Sequence, residues 1–207
     1  MSKKHQDDLS HIRSMMERSS RFISLSGLSG VSAGMAALLG GIYVYRLFEQ
    51  NGIAYFDGVD KVYPAHLVNQ LIYIGISILI VALVSAVFFT VRKSKQHNMP
   101  IWTSSTKNML FNLAIPVVVG AVFGVALLQY QLYVLLAPVT LLFYGLALIN
   151  AGSYTLTDIK YLGFTQLVLG SLSLFLPGYG LVFWILGFGV LHIIYGVIMW
   201  NKYERYN

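Results

Sequence analysis

Apolar residues in this 207-residue chain gather into six long stretches separated by short polar breaks. They run from Phe22 to Phe48, Leu67 to Val91, Met109 to Leu128, Leu132 to Asn150, Ile159 to Leu176 and Leu181 to Asn201. Almost no ionisable side chain falls inside them. A hydrocarbon core of about 30 Å takes about 20 residues of helix, so the pattern predicts an all-α polytopic membrane protein with six transmembrane helices. The domain reading follows: 1–21 a cytoplasmic amphipathic segment, 22–201 the six-helix membrane domain, 202–207 a cytoplasmic tail. The first 21 residues are too long and too charged for an ordinary leader, so the first apolar run is expected to be a retained span.

The breaks carry their own chemistry. Pro177-Gly178-Tyr179-Gly180 pairs a fixed φ with a residue that tolerates φ > 0, which predicts a tight reversal and an antiparallel pairing of the last two helices. Gln129, Tyr130 and Gln131 predict an equally short break between the third and fourth. Pro116 and Pro138 fall inside those two spans, where each removes a backbone hydrogen bond and is expected to kink its helix. Within the N-terminal segment, Leu9, Ile12 and Met16 recur at helical spacing. That segment either lies in the headgroup plane or packs as a solvated helix on the cytoplasmic loops.

Composition agrees: 57% of residues are hydrophobic and 11% charged. The absence of cysteine excludes disulfides, iron–sulfur clusters and thiolate metal sites. Lys and Arg total 14, and their distribution sets orientation. Lys3, Lys4, Arg13, Arg18, Arg21, Arg92, Lys93, Lys95, Lys107, Lys160, Lys202 and Arg205 fall on one side, against Arg46 and Lys61 on the other. This bias predicts that both termini are cytoplasmic. The net charge of +6 then matches anionic headgroups and asks for no nucleic acid. Trp102, Trp200 and Tyr203 are expected at the interface.

Small residues let helix backbones approach in a bilayer. Ser26, Gly30 and Gly34 form one such row in the first span, which is expected near the bundle centre or, alternatively, at a homodimer face. Gly120 and Gly124 give the third span a GxxxG. The polar residues inside the spans are Asn112, Asn150, Gln166, His192 and Tyr195. With the orientation above, all five fall between the cytoplasmic surface and the midplane, which predicts a shared inward-facing polar cavity. For His192 the plainer reading is an interhelical hydrogen bond to Gln166 or Tyr144, and the sharper one is ligand binding or proton sensing. Thr155-Leu156-Thr157-Asp158 has the spacing of a capping box, which assigns Asp158 to the start of the fifth helix.

Much chemistry is missing from the text. No set of His and carboxylate residues fits an intramembrane metal centre, no serine has a base and an acid in reach, and no phosphate-binding glycine loop occurs. Mid-membrane Asp, Glu or Lys is also absent, and the two halves show no repeat, which weakens an ion-coupled transporter. No enzymatic activity, cofactor or metal is expected.

Met16-Glu17-Arg18-Ser19-Ser20-Arg21-Phe22, with Ser24-Leu25-Ser26-Gly27-Leu28-Ser29-Gly30 and Ala33-Gly34, resembles the start of a family of uncharacterised six-span integral-membrane proteins of Bacteroidota. The runs Tyr154 to Gly163, Pro177 to Trp184 and Gly187 to Gly196 are similar to the same family. The resemblance implies an inner-membrane protein of a Gram-negative envelope and brings no catalytic residue. The functional expectation is therefore a non-enzymatic bundle in an accessory or sensory role, with membrane lipids, a partner membrane protein or a second copy as its partner. The alternative is a transporter or channel for a small neutral or weakly basic solute through the inward-facing cavity.

Overall fold

The computed structural model describes residues 25–53 and 63–205. The amphipathic pattern of Leu9, Ile12 and Met16, and Tyr55, Phe56, Asp57 and Asp60 between the first two expected spans, lie outside the described residues. Within them all regular structure is helical: α1 (Gly27–Gln50), α2 (Ala65–Gln96), α3 (Ser104–Gln129), a 3-10 turn (Tyr133–Leu135) leading into α4 (Leu136–Ala151), and α5 (Asp158–Phe175). The last helix runs from Gly180 to Tyr203 as α6 (Gly180–Trp184), a π-helical segment (Ile185–Leu191) and α7 (His192–Tyr203).

Five of these helices are long and apolar enough to cross a membrane, and the chain is read as a membrane protein on that ground. α5, the remaining expected span, is not one of the five. It has 18 residues, and Asp158, Lys160 and Gln166 dilute its apolar content.

Helix ends follow from local chemistry. α1, α2 and α3 each finish with a residue in the left-handed region, at Gly52, Asn98 and Gln131. In all three, two backbone N–H groups fold back onto the last turn, as in Leu132 N to Leu127 O (2.9 Å) and Gln131 N to Leu128 O (3.2 Å). This Schellman arrangement satisfies carbonyls that would otherwise be orphaned. The reversal after α5 is a β-turn over Leu176-Pro177-Gly178-Tyr179, closed by Tyr179 N to Leu176 O, with φ +96° at Gly178. Proline followed by a positive-φ glycine is the type II pattern.

The two prolines sit differently in their helices. Pro138 lies in the first turn of α4, where a missing N–H costs least. Pro116 is buried inside α3. Asp158 is the first residue of α5, where an acid suits the positive end of the helix dipole as expected, and its carboxylate also reaches the other end of the chain, as described below.

The layout is a central set of helices with two outriggers. α1 packs along the last helix, α4 packs along α5, α2 leans on α1, and α3 leans on α4. Backbone contact holds the centre together. A Cβ on Gly196 would stand 2.6 Å from Val31 N and 2.7 Å from Gly27 O, and one on Gly34 would stand 2.7 Å from Gly189 O. Gly30 sits in the same row, facing the Gly196 Cα. The expected row thus meets the last helix, with Ser26, itself buried, bonded to Glu204 at that helix's end. Gly120 meets Phe143 of α4 closely, while Gly124 only grazes Leu136. Sequence reading missed the corresponding α4–α5 crossing, where Gly145 and Gly163 each face the carbonyl of the other.

The outriggers bury little. In α2 the buried residues are Leu67, Ser85, Lys93 and Ser94, and its apolar residues Tyr73, Leu79, Val84, Val87 and Phe88 are exposed. A helix that turns polar groups inward and apolar ones outward is built for a hydrocarbon solvent.

Candidate functional site

Three constellations stand out among the described residues. The first is polar and central. The carbonyl of Gly187, inside the π-helical segment, accepts from Gln166 Nε2 (2.8 Å) and from His192 Nδ1 (2.9 Å). Because a carbonyl only accepts, Nδ1 carries the imidazole proton in the neutral ring and Nε2 is left as an acceptor. Tyr144 OH lies 3.0 Å from Nε2 and donates to it. One α4 residue, one α5 residue and two from the last helix are tied together by three bonds. Gln166 is fully buried and His192 is 6% exposed. Gln166 Oε1 is buried without a protein partner. It rests against Gly187, where a Cβ would come within 2.5 Å of it, so a larger residue there would have to move the Gln166 side chain.

Of the five polar residues expected to line a common hollow, Gln166 and His192 do meet. The others do not join them. Asn112 donates to Asn108 O of its own helix (2.8 Å) on the outrigger α3, Asn150 is exposed near the end of α4, and Tyr195 is half-buried beside an apolar cluster of Leu148, Leu156, Ile159, Leu162 and Met199. The five were expected at one depth, but an expected depth alone does not bring side chains together. None of them lines the cavities described here.

The second constellation is an apolar cavity of about 340 Å³ between the end of α1, the first half of α2, the start of α4 and α6. Phe48, Tyr63, Gly75, Tyr133 and Trp184 are in its wall. Tyr63 packs on both Phe48 (6.0 Å) and Tyr133 (5.3 Å), closing the rim. The one hydroxyl deeper in the wall, on Thr140, is already spent on Ala137 O. Trp184, Phe188 and His192 recur every four residues along the last helix, their rings 5.1 and 5.8 Å apart. This column runs from the cavity to the polar centre.

The third lies at the opposite, basic end. Lys93, counted above as a loop charge, belongs to α2, which continues past Val91 to Gln96. It is 6% exposed, donates to Leu25 O (2.9 Å) and faces Glu204 at 3.6 Å. The Glu204 carboxylate also accepts from Ser26 Oγ (3.0 Å) and from the N–H of Gly27. The tail of the chain therefore caps the first helix, with its negative charge at the positive end of the α1 dipole. Next to it, Asp158 accepts from Tyr203 OH (2.6 Å) and from Lys202 Nζ (3.1 Å), pinning α5 to the end of the last helix. Burial pushes the Asp158 carboxyl up, but these two donors outweigh it and hold the group below the ordinary value.

Among the described residues no group of three or more His or carboxylate side chains gathers to hold a metal. Tyr144 was named in the sequence reading as a possible partner of His192, and the two do bond, whereas Gly187, Trp184 and Glu204 are site residues that the sequence reading did not rank. For Gly187 the run Gly187-Phe188-Gly189 was the local signal, since paired glycines admit both an irregular helix and a side chain against the backbone. Comparison with protein-family models, with curated proteins and with solved structures finds no match to this chain.

Proposed function

We propose that this chain is a non-enzymatic six-span bundle of an inner membrane, with both termini cytoplasmic, that binds lipid in an accessory or sensory role. A sixth crossing by α5 is supported by depth. Its first residue bonds to Tyr203 at one end of the last helix, and its other end leads through the type II turn into Gly180 at the opposite end. Twelve basic residues against two support the orientation.

The observation that carries the binding role is the apolar cavity. Its volume lies within the usual range for small-molecule sites, about 300–1,000 Å³, and its aromatic and aliphatic wall suits a single acyl chain better than a hydrated solute. The aromatic column beneath it gives occupancy a route to the hydrogen bonds that tie α4, α5 and the last helix. The transporter alternative loses its expected lining, because Asn112, Asn150 and Tyr195 stand apart from Gln166 and His192.

Gly75 offers the test. A Cβ there meets nothing within 4 Å and Gly75 is part of the cavity wall, so Gly75→Phe is the substitution chosen to fill the cavity. Purified wild-type protein in mild detergent is expected to retain lipid by native mass spectrometry and to be labelled at the cavity wall by a photoactivatable fatty acid. Gly75→Phe should lose both at an unchanged thermal midpoint, and Gly75→Ala should keep both. Undiminished labelling of Gly75→Phe at the same residues would overturn the proposal.

A further inference from the structure

The basic end holds a second site of different chemistry. A cavity of about 450 Å³ lies between α1, α2 and α7, walled by Arg92, Lys93, Gln96, His97, Trp200 and Glu204. Its donors outnumber its acceptors. Glu204 is already answered by Ser26, Gly27 and Lys93. The side chains of Arg92, Gln96 and His97 have no hydrogen-bond or ion-pair partner among the described residues. One carboxylate against Arg92 and Lys93 leaves the wall positive before His97 is counted. An acceptor-rich anion fits such a wall, and a guanidinium is suited to grip a phosphate with two parallel bonds.

A second feature extends the site. Arg92 and Gln96 also belong to the end of an apolar groove on the outward face of α2, lined by Leu83, Val84, Val87, Phe88 and Val91. A donor-rich cavity thus opens onto a hydrocarbon-like groove that runs toward the bilayer core. Free phosphate would fill only the first, and a neutral lipid would leave the positive charge unanswered. We infer that this end of the bundle binds an anionic phospholipid, its phosphate held by Arg92, Gln96 and His97 and an acyl chain lying along Val84, Val87 and Phe88. The site depends on the membrane reading but not on the apolar cavity at the other end.

The test uses the full chain in mild detergent, with native mass spectrometry and thermal midpoint as readouts. Phosphatidylglycerol should be retained in preference to phosphatidylcholine of the same chains and should raise the midpoint, while inorganic phosphate at equal concentration should not. Arg92→Gln removes a charge-assisted contact and should weaken phosphatidylglycerol retention about tenfold. Lys107→Gln removes one charge from the same basic face, outside the cavity, and should leave retention within about twofold. Equal retention of the two lipids, equal effects of the two substitutions, or a full midpoint rise with inorganic phosphate would each overturn the proposal. The midpoint of Arg92→Gln in phosphatidylcholine is expected to match wild type. Should it fall, His97→Gln, exposed and outside the Glu204 network, supplies the same comparison.

Discussion

The same chemical change at two glycines should have opposite effects. Ala in place of Gly inside a helix stabilises by about 0.5–1 kcal/mol through backbone entropy. At Gly75 nothing opposes that gain, because the new methyl meets no atom within 4 Å. At Gly196 the methyl would lie 2.6 Å from Val31 N and 2.7 Å from Gly27 O, closer than real Cβ atoms approach, so α1 and α7 must shift apart. Both obstacles are backbone atoms of α1, which cannot rotate aside as a side chain would. Overpacking of this kind costs about 1–3 kcal/mol. Separating the helices also lengthens the Ser26 and Gly27 bonds to Glu204. Since the propensity term is common to both sites, Gly196→Ala is expected to be about 1–3 kcal/mol less stable than Gly75→Ala. Equilibrium unfolding in mixed micelles, or steric trapping in bicelles, measures that difference directly. If Gly196→Ala matches Gly75→Ala within about 0.5 kcal/mol, α1 and α7 are not in backbone contact.

In a double-mutant cycle of Tyr144→Phe with His192→Phe, the coupling energy should be about 0.6 kcal/mol and no more than about 1.7, the span found for hydrogen bonds between membrane helices; zero coupling would mean that the two groups do not bond. Asp158 has a carboxyl pKa lowered by folding, so its stabilising contribution is present above the unfolded value near 3.9 and is lost as pH falls through the folded one. Wild type should therefore lose more stability than Asp158→Asn between pH 6 and pH 3, and parallel pH curves for the two proteins would refute the link to Tyr203 and Lys202. Gln166→Leu removes a bond to Gly187 O but also the buried, unpartnered Oε1, so it should cost less than about 1 kcal/mol by the same unfolding assay. A larger loss would assign Oε1 a partner such as a bound water.

Several parts of the site were legible in one dimension. His192 and Tyr144 were named as possible partners because a neutral imidazole in a dry span needs a neighbour and few candidates share its depth. The type II reversal at Pro177-Gly178 was readable because φ is a local property. Other parts were not. Asp158 carries the right spacing for a cap, but that spacing holds no sign of Lys202 and Tyr203, more than forty residues away, which also bond to its carboxylate. Lys93 reads as one more charge of a basic loop until Leu25 O and Glu204 are found around it.

The sequence by itself determined that the chain is helical and apolar enough for a membrane, where most helices begin and end, and which glycine row of the first helix is available for close packing. These follow from hydropathy, backbone torsion and side-chain size, each of which acts within a few residues. Only the tertiary structure decided which faces meet. It set Gly196 against Gly27 and Gly145 against Gly163, joined Gln166 and His192 at one carbonyl while leaving Asn112 and Asn150 outside, and opened cavities at both ends. The rotation of each helix about its axis places those faces, and it is fixed by contacts between residues far apart in the chain, a pairing that no window of sequence contains.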